Sequence, residues 1–323
     1  MNVGLIDVDE SKTFPNLCLM KISSYHKSKG DNVEWFFGLK HYDIVYKSKI
    51  FTDEYSKDSD VCINADKIIL GGTGYGLENK LPDEIEHIMP DYNLYSNPKF
   101  KDTAYGFLTR GCPRGCHFCI VAKKEGRKSI KVANLSEFWC GQKNIKLLDP
   151  NILACNEHEN LLEQLAGSGA WVDFTQGLDA RLITESNAKI LKRIKIKMIH
   201  FAFDQMKHEK AVIKGLKIFK DICNLSYHKQ SVYVLTNFNT TFEEDLYRVR
   251  QIEKLGYMAD VRIFDKPKLI EQSKRNPKKQ LIHWLQRWVN NKFLHFKTDF
   301  LNYSPRKGII VKDFAQTNGI KWG

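Results

Sequence analysis

Residues 104–120 read AYGFLTRGCPRGCHFCI: an apolar run of the kind that forms a β-strand, then a loop carrying three of the chain's eight cysteines. Cys112, Cys116 and Cys119 fall within eight residues, with glycine and proline between them. Such a loop turns sharply and brings three thiols toward a common point, as ligands require and inert core side chains do not. The C-x3-C-x2-C spacing supplies three thiolates. Structural zinc normally takes four N or S donors, so a zinc site here would have to recruit His117, Cys140 or Cys155. A cubane iron–sulfur cluster is also cysteine-ligated, and three ligands would leave one iron open for chemistry. Unmetallated thiols are the third reading.

Beyond the loop, five more β-type runs alternate with helical spacers: IKLL (145–148), WVDFT (171–175), KMIHFAF (197–203), SVYVLT (231–236) and DVRIF (260–264). Polar residues recur where the runs end: Arg110 and the cysteine loop, Asp149-Pro150-Asn151, Gln176, Asp204-Gln205, Asn237 with Asn239, and Asp265. In a βα barrel, full or partial, the loops at the carboxyl ends of the strands converge on one axis and build the site. The expected arrangement over residues 98–265 is therefore a partial (β/α)6 barrel.

Residues 1–97 alternate strand candidates (VGLIDV, NVEWFF, YDIVY, KIILGG) with helical stretches, notably Pro15 to Lys29, which stops at Gly30. This alternation predicts a Rossmann-like parallel sheet, so the fold class is α/β throughout. Asp7 to Glu10 and Gly71-Gly72-Thr73-Gly74 follow strands, at the ends where such sheets hold ligands. Tyr95 to Lys101 reads as a linker. The first residues, MNVGLIDVDE, carry acids inside their apolar run and read as a first strand and not as a signal peptide.

Residues 266–323 form a third, basic segment. Asn276-Pro277 opens a helix with Asn as cap and Pro in the first turn. Leu281, Trp284, Leu285, Trp288, Val289 and Phe293 recur at helical spacing as one apolar stripe, expected to pack on the neighbouring domain. About ten of the twelve excess positive charges lie here, since 13 Lys and Arg face only Glu271, Asp299 and Asp313. A charge run can be a solvated face, or it can mark an anionic partner. No apolar run approaches a membrane span. Eight irregularly spaced cysteines argue for a reduced, cytoplasmic setting without disulfides.

With these residues on the page, the segment 100–265 resembles the radical S-adenosylmethionine superfamily. The likeness rests on Cys112-x-x-x-Cys116-x-Phe118-Cys119 in a loop after the first of six strands. It implies a 4Fe-4S cluster on the three cysteines, S-adenosylmethionine chelated to the fourth iron, and reductive cleavage to a 5'-deoxyadenosyl radical that attacks a substrate. It also implies a reducing electron donor such as flavodoxin or ferredoxin. Carried over by position, Phe118 would lie beside the adenine, and Asp149 and Asn151 would stand where the family binds the methionine amino group. Gln176, Asp179 and Arg181 would face the cofactor's carboxylate or ribose, Asp204 the ribose and Asn237 the adenine; Asp179 and Arg181 also suit a local ion pair.

The N-terminal region is similar to the cobalamin-binding domain that precedes the radical domain in one branch of that superfamily, through PNLCLMKISSYHKSKGDNVEW (15–35) and KIILGGTG (67–74). The Asp-x-His-x-x-Gly signature is missing, because Asp7-Val8-Asp9-Glu10-Ser11 occupies its place, so a degenerate domain without cobalamin is expected. Methylthiotransferases need three further N-terminal cysteines, and only Cys18 and Cys62 are present. The basic segment, with Trp284, Trp288 and Phe293 among its charges, suggests RNA or another anionic substrate. The competing readings are a zinc-stapled nucleic-acid-binding protein without catalytic activity and a cluster protein that senses redox state.

Overall fold

The computed structural model describes residues 1–11, 13–58 and 62–320. It is a mixed α/β structure built on two parallel sheets. The first contains β1 (Asn2–Asp7), β2 (Asn32–Trp35), β3 (Tyr42–Ser48) and β4 (Ala65–Gly71) in the order β2-β1-β3-β4. All pairs are parallel. Helix α1 (Leu17–Ser28) starts where the Asn16 side chain accepts a hydrogen bond from the Leu19 amide, and the chain leaves it through Gly30 at φ +81°. It buries Leu19 and Ile22 against Val3 and Leu5, with Ile85 from the one-turn α2 (Asp83–Glu86).

Helices are scarcer here than the alternation suggested. Residues 36–41, between β2 and β3, are too few for a crossover helix, and the described residues between β3 and β4 hold none. The Gly-Gly turn serves close chain packing: a Cβ on Gly72 would stand 2.2 Å from the Lys49 carbonyl oxygen, and one on Gly74 2.3 Å from that of Phe51. Asp9 accepts hydrogen bonds from the amides of Ile50 and Phe51, and Asp7 from the Tyr95 hydroxyl at 2.6 Å. The ends of this sheet are thus filled by the chain itself.

Nor is the segment 95–101 a loose linker. Tyr95 and Phe100 stack edge-on at 5.4 Å, Phe100 is buried in turn against Tyr105, and α3 (Pro98–Lys101) is capped by Asn97. The aromatic side chains, invisible in a reading by linker composition, fasten the first sheet to the second.

The second sheet consists of β5 (Thr103–Gly106), β8 (Asn144–Leu147), β9 (Trp171–Leu178), β10 (Lys195–Ala202), β11 (Gln230–Thr236) and β12 (Met258–Ile263). Their order, β12-β11-β10-β9-β8-β5, is simply sequential, and all are parallel. Each right-handed crossover then sets its helix on the same face. These are α5 (His158–Ser168), α6 (Glu185–Arg193), α7 (Glu209–Cys223) and α8 (Phe242–Lys254). Ile145, Val172, Phe174, Ile199, Phe201, Val232 and Val261 form the buried core of that face.

The run AYGFLT divides in two. Strand β5 stops at Gly106, where a Cβ would stand 2.4 Å from the Phe138 ring. The chain resumes as β6 (Thr109–Arg110), paired antiparallel with β7 (Ile130–Lys131), so the cysteine loop and the one-turn α4 (Val121–Lys124) hang from a two-rung ladder.

Beyond β12 lie α9 (Lys266–Ser273), α10 (Pro277–Asn290), α11 (Lys292–Lys297) and α12 (Val311–Thr317). Helix α10 begins as expected, with Asn276 accepting from the amides of Lys278 and Lys279. Leu281, Trp284, Leu285, Trp288 and Val289 are buried against β12 and its neighbours. Phe293 leaves the stripe: α10 ends at Asn290, and Phe293 is 66% exposed on the next helix. Trp284 and Trp288 are 2% and 4% exposed, so they cannot stack on nucleic-acid bases, which corrects that expectation for these two of its three rings. No described helix is long and apolar enough to cross a membrane.

Candidate functional site

The cysteine loop leaves the sheet at β6 and is tied at several points. Gly111 adopts φ +82° where the loop's two ends touch: a Cβ there would meet the Lys128 carbonyl oxygen at 2.2 Å, and Cys112 donates its amide to the Gly126 carbonyl at 3.1 Å. Gly115 turns at φ +57° between Cys112 and Cys116. The Cys119 amide bonds to the Cys116 carbonyl at 3.0 Å, closing the turn between the last two thiols. All three cysteines are half-buried and free of disulfides.

Asp149, at the end of β8, roots this loop. Its buried carboxylate accepts from the Leu108 amide at 3.1 Å and from both the amide and hydroxyl of Thr109. Burial pushes its pKa up to about 6 despite these donors. The residue therefore positions the loop. Asn151 lies deeper in the site: its Nδ2 donates to the Cys112 Sγ at 3.5 Å, Ser129 bonds its backbone carbonyl, and its buried Oδ1 has no partner.

From β9, Asp179 clasps the loop. Its carboxylate accepts from Arg114 Nε at 2.6 Å and from Arg181 Nε and a terminal nitrogen at 2.6 and 2.9 Å. Burial works against ionisation, but the bonds and charge of Arg181, with those of Arg114, hold the Asp179 carboxyl below its usual range. The anticipated ion pair exists and extends to a second arginine, one that stands inside the cysteine motif. Burial raises the pKa of Cys116, and the negative field of Asp204 adds to it, with Arg181 opposing. Asp204, at the end of β10, is itself raised by burial and accepts the Leu235 amide at 3.2 Å. Cys112, Cys116, Cys119, Asn151, Arg181 and Asp204 thus belong to one neighbourhood.

Phe118 reaches the far side. Its ring meets Phe238 edge-on at 5.4 Å, and Phe238 meets Phe264 at 5.0 Å, joining the loop to the ends of β11 and β12. Asn237 is used differently: at φ +62°, its Nδ2 donates to the Phe264 carbonyl at 2.9 Å and its Oδ1 accepts from Lys279. It fastens α10 to the sheet. Gln176 is exposed near the end of β9.

Two sets of residues escaped the sequence reading. One is Arg114, whose position between two cysteines was the available signal. The other is the second face of the six-stranded sheet, where Tyr105, Lys146, Asp173, His200, Tyr233 and Arg262 alternate with the buried apolar residues. A sheet covered by helices on both faces carries apolar residues on both, so this period of two signals a polar face. Tyr233 is stacked on His200 at 4.7 Å and beneath the Arg262 guanidinium at 4.8 Å. Burial lowers the His200 pKa to about 4, so its imidazole is neutral and shares a 2.6 Å hydrogen bond with Ser231. Burial likewise raises Asp173 and lowers Lys146, which lie opposite each other on β9 and β8.

The donor set suits a thiolate-ligated group: three free thiols in one loop, with an unpartnered buried amide oxygen beside them. Among the described residues, no three His, Cys, Asp or Glu side chains form a group that could hold a metal ion. Of the further donors a zinc site would need, Cys140 is exposed and bonded to Gln142, Cys155 is buried with the main core, and His117 is exposed within the loop. No protein-family model matches the chain, and no curated protein matches it.

Proposed function

We propose that the chain is a radical S-adenosylmethionine enzyme, with Cys112, Cys116 and Cys119 as the ligands of a 4Fe-4S cluster. The observation that carries this reading is the convergence of the cysteine loop, rooted after the first of six sequential parallel strands, with residues from the ends of the next three. On this reading the six strands form a partial (β/α)6 barrel, and the polar face bearing Lys146, Asp173, His200 and Tyr233 turns toward the substrate. When bound, such a cluster supplies the electron that cleaves S-adenosylmethionine and so generates the 5'-deoxyadenosyl radical.

The chain's own residues prepare the site. Asp149 fixes the origin of the loop, and Asp179 holds Arg114 so that the loop cannot swing away from β9. Asn151 Oδ1, buried and unpaired, is an acceptor suited to an ammonium group. Arg181 has a guanidinium suited to a carboxylate, Asp204 a carboxylate suited to ribose hydroxyls, and Phe118 a ring suited to adenine. A low-potential donor such as flavodoxin or ferredoxin belongs to this reading, whereas cobalamin does not: Gly72 and Gly74 are packed on backbone and the loop after β1 offers no histidine.

Anaerobic reconstitution with iron and sulfide tests the proposal. About four irons per chain are expected, with an electron paramagnetic resonance signal that shifts on adding S-adenosylmethionine and 5'-deoxyadenosine formed under strong reductant. Stoichiometric zinc in a colourless protein, or a cluster retained in the triple Cys→Ala variant at positions 112, 116 and 119, would overturn it.

A further inference from the structure

Asp179 holds two guanidinium groups with one carboxylate: Arg114 through its Nε at 2.6 Å, and Arg181 through its Nε and a terminal nitrogen at 2.6 and 2.9 Å. One positive charge of the trio is left over, and the geometry decides where it is presented. Arg181 spends two nitrogens on the carboxylate, whereas Arg114 spends Nε alone and keeps both terminal nitrogens free among the described residues. Those two nitrogens form the planar edge of a guanidinium that meets an oxyanion at two points.

Arg114 lines a cavity of about 540 Å³ that opens between the cysteine loop and the start of α5. Spaces of this size hold small organic molecules. Pro113, Leu153, Ala154 and Leu182 supply apolar walls, and Asn156 and His158 join Arg114 as polar groups. His158 is fixed much as Arg114 is: its Nδ1 donates to the Cys155 carbonyl at 2.7 Å, which leaves Nε2 without a partner among the described residues. The acids of the same turn do not compete for the arginine. Glu157 takes Lys131 at 3.4 Å, Glu159 accepts from the Ser186 hydroxyl at 2.6 Å, and neither lines the cavity. The three loop cysteines, Asn151, Asp204 and Phe118 do not line it either, so this space is distinct from the one proposed for the cofactor. Asp179 links the two, through Arg114 on one side and Arg181 on the other.

We infer that this cavity is a second binding site, for a small molecule that carries an oxyanion, a phosphate monoester or a carboxylate, on an apolar body. The anion meets the terminal nitrogens of Arg114 with His158 beside it, and the body lies against Leu153 and Leu182. An arginine already held by a largely buried carboxylate is preorganised, so binding orders little that was free. A neutral molecule leaves the surplus charge unanswered, and a bare inorganic anion leaves the apolar walls wet. Both features are therefore needed in one ligand. Because Arg114 stands between Cys112 and Cys116, the occupant is held against the loop that carries the thiols. The inference does not rest on the cluster.

The test is a saturation-transfer NMR titration on the protein without iron, so its outcome is independent of the iron content and spectra that decide the cluster reading. The probes are phenyl phosphate and benzoate, with benzyl alcohol as the apolar body alone and inorganic phosphate, read by displacement, as the anion alone. Dissociation constants on the order of 1 mM or tighter are expected for at least one of the aromatic anions, about tenfold tighter than for either part alone; whichever binds better names the anion. Arg114→Gln should weaken that binding by about tenfold or more. Ala154→Phe should fill the cavity and abolish binding while leaving every charge in place. Arg127→Gln removes an exposed cation outside the cavity and should bind within about twofold of the parent. Thermal melting accompanies each variant, and the arginine and alanine substitutions are independent, so one that fails to fold leaves the other to decide. Equal weakening by Arg114→Gln and Arg127→Gln, undiminished binding in Ala154→Phe, or no binding of either aromatic anion at about 10 mM would overturn the inference.

Discussion

Arg248 is the side chain on which the ends of β10 and β11 depend, and its replacement by Met has a calculable consequence. The residue is fully buried. Its guanidinium donates to the Phe203 carbonyl at 2.6 Å, to the Leu235 carbonyl at 2.8 Å and to the buried Asp245 carboxylate at 2.5 Å. Removing it leaves two carbonyls unpaired and a carboxylate supported only by the Thr240 hydroxyl at 2.6 Å. Breaking a buried pair from one side costs about 3–5 kcal/mol, and each stranded carbonyl about 1 kcal/mol more. The expected loss is therefore about 5–7 kcal/mol at pH 8, measured from urea midpoints and slopes. Burial already raises the Asp245 pKa while Arg248 opposes it, and without Arg248 it rises further. A folded-state pKa above the unfolded one means stability that is present at low pH and lost as pH rises through the folded value. The Arg248→Met penalty should therefore be smaller at pH 5 than at pH 8, and Arg248→Met/Asp245→Asn should recover part of it. A loss below about 1 kcal/mol, or one that grows on acidification, would refute the reasoning.

Three further outcomes are expected. The Asp149 carboxyl, at about 6 folded against 3.8 unfolded, lets stability fall as pH rises from about 4 to 6. That contribution amounts to about 3 kcal/mol across the window, and Asp149→Asn should flatten this part of a pH–stability curve. Gly106→Ala drives a methyl into the Phe138 ring and should cost about 1–3 kcal/mol, with Gly106→Ala/Phe138→Leu restoring much of it; an unchanged denaturation midpoint would contradict the 2.4 Å approach. Asn151→Ala removes one weak bond to sulfur and an unpaired acceptor, so denaturation should shift by about 1 kcal/mol or less. The same variant should lose most of the spectral shift that S-adenosylmethionine causes in the reconstituted protein, and a full shift would remove Asn151 from the cofactor's neighbourhood.

Much of the architecture was legible in the sequence because it is written in local chemistry. The six apolar runs became the six parallel strands, Asn16 and Asn276 capped the helices they precede, and Gly30 ended the first. The cysteine spacing put three thiols in one loop whatever the rest of the chain did. What local chemistry does not encode is partnership. Asp149 reads as a ligand candidate and is occupied by the amides of Leu108 and Thr109, forty residues away. Asn237 reads as a site residue and holds Lys279, while Phe293 shares its neighbours' spacing but falls beyond the end of their helix. Arg114 acquires a role only because folding carries Asp179 to it across 65 residues. A side chain's type and spacing determine what it can do, and the sequence alone determined that much: strands, caps and a set of thiols. Which partner reaches each side chain depends on crossovers and packing between distant segments, and only the tertiary structure decided it.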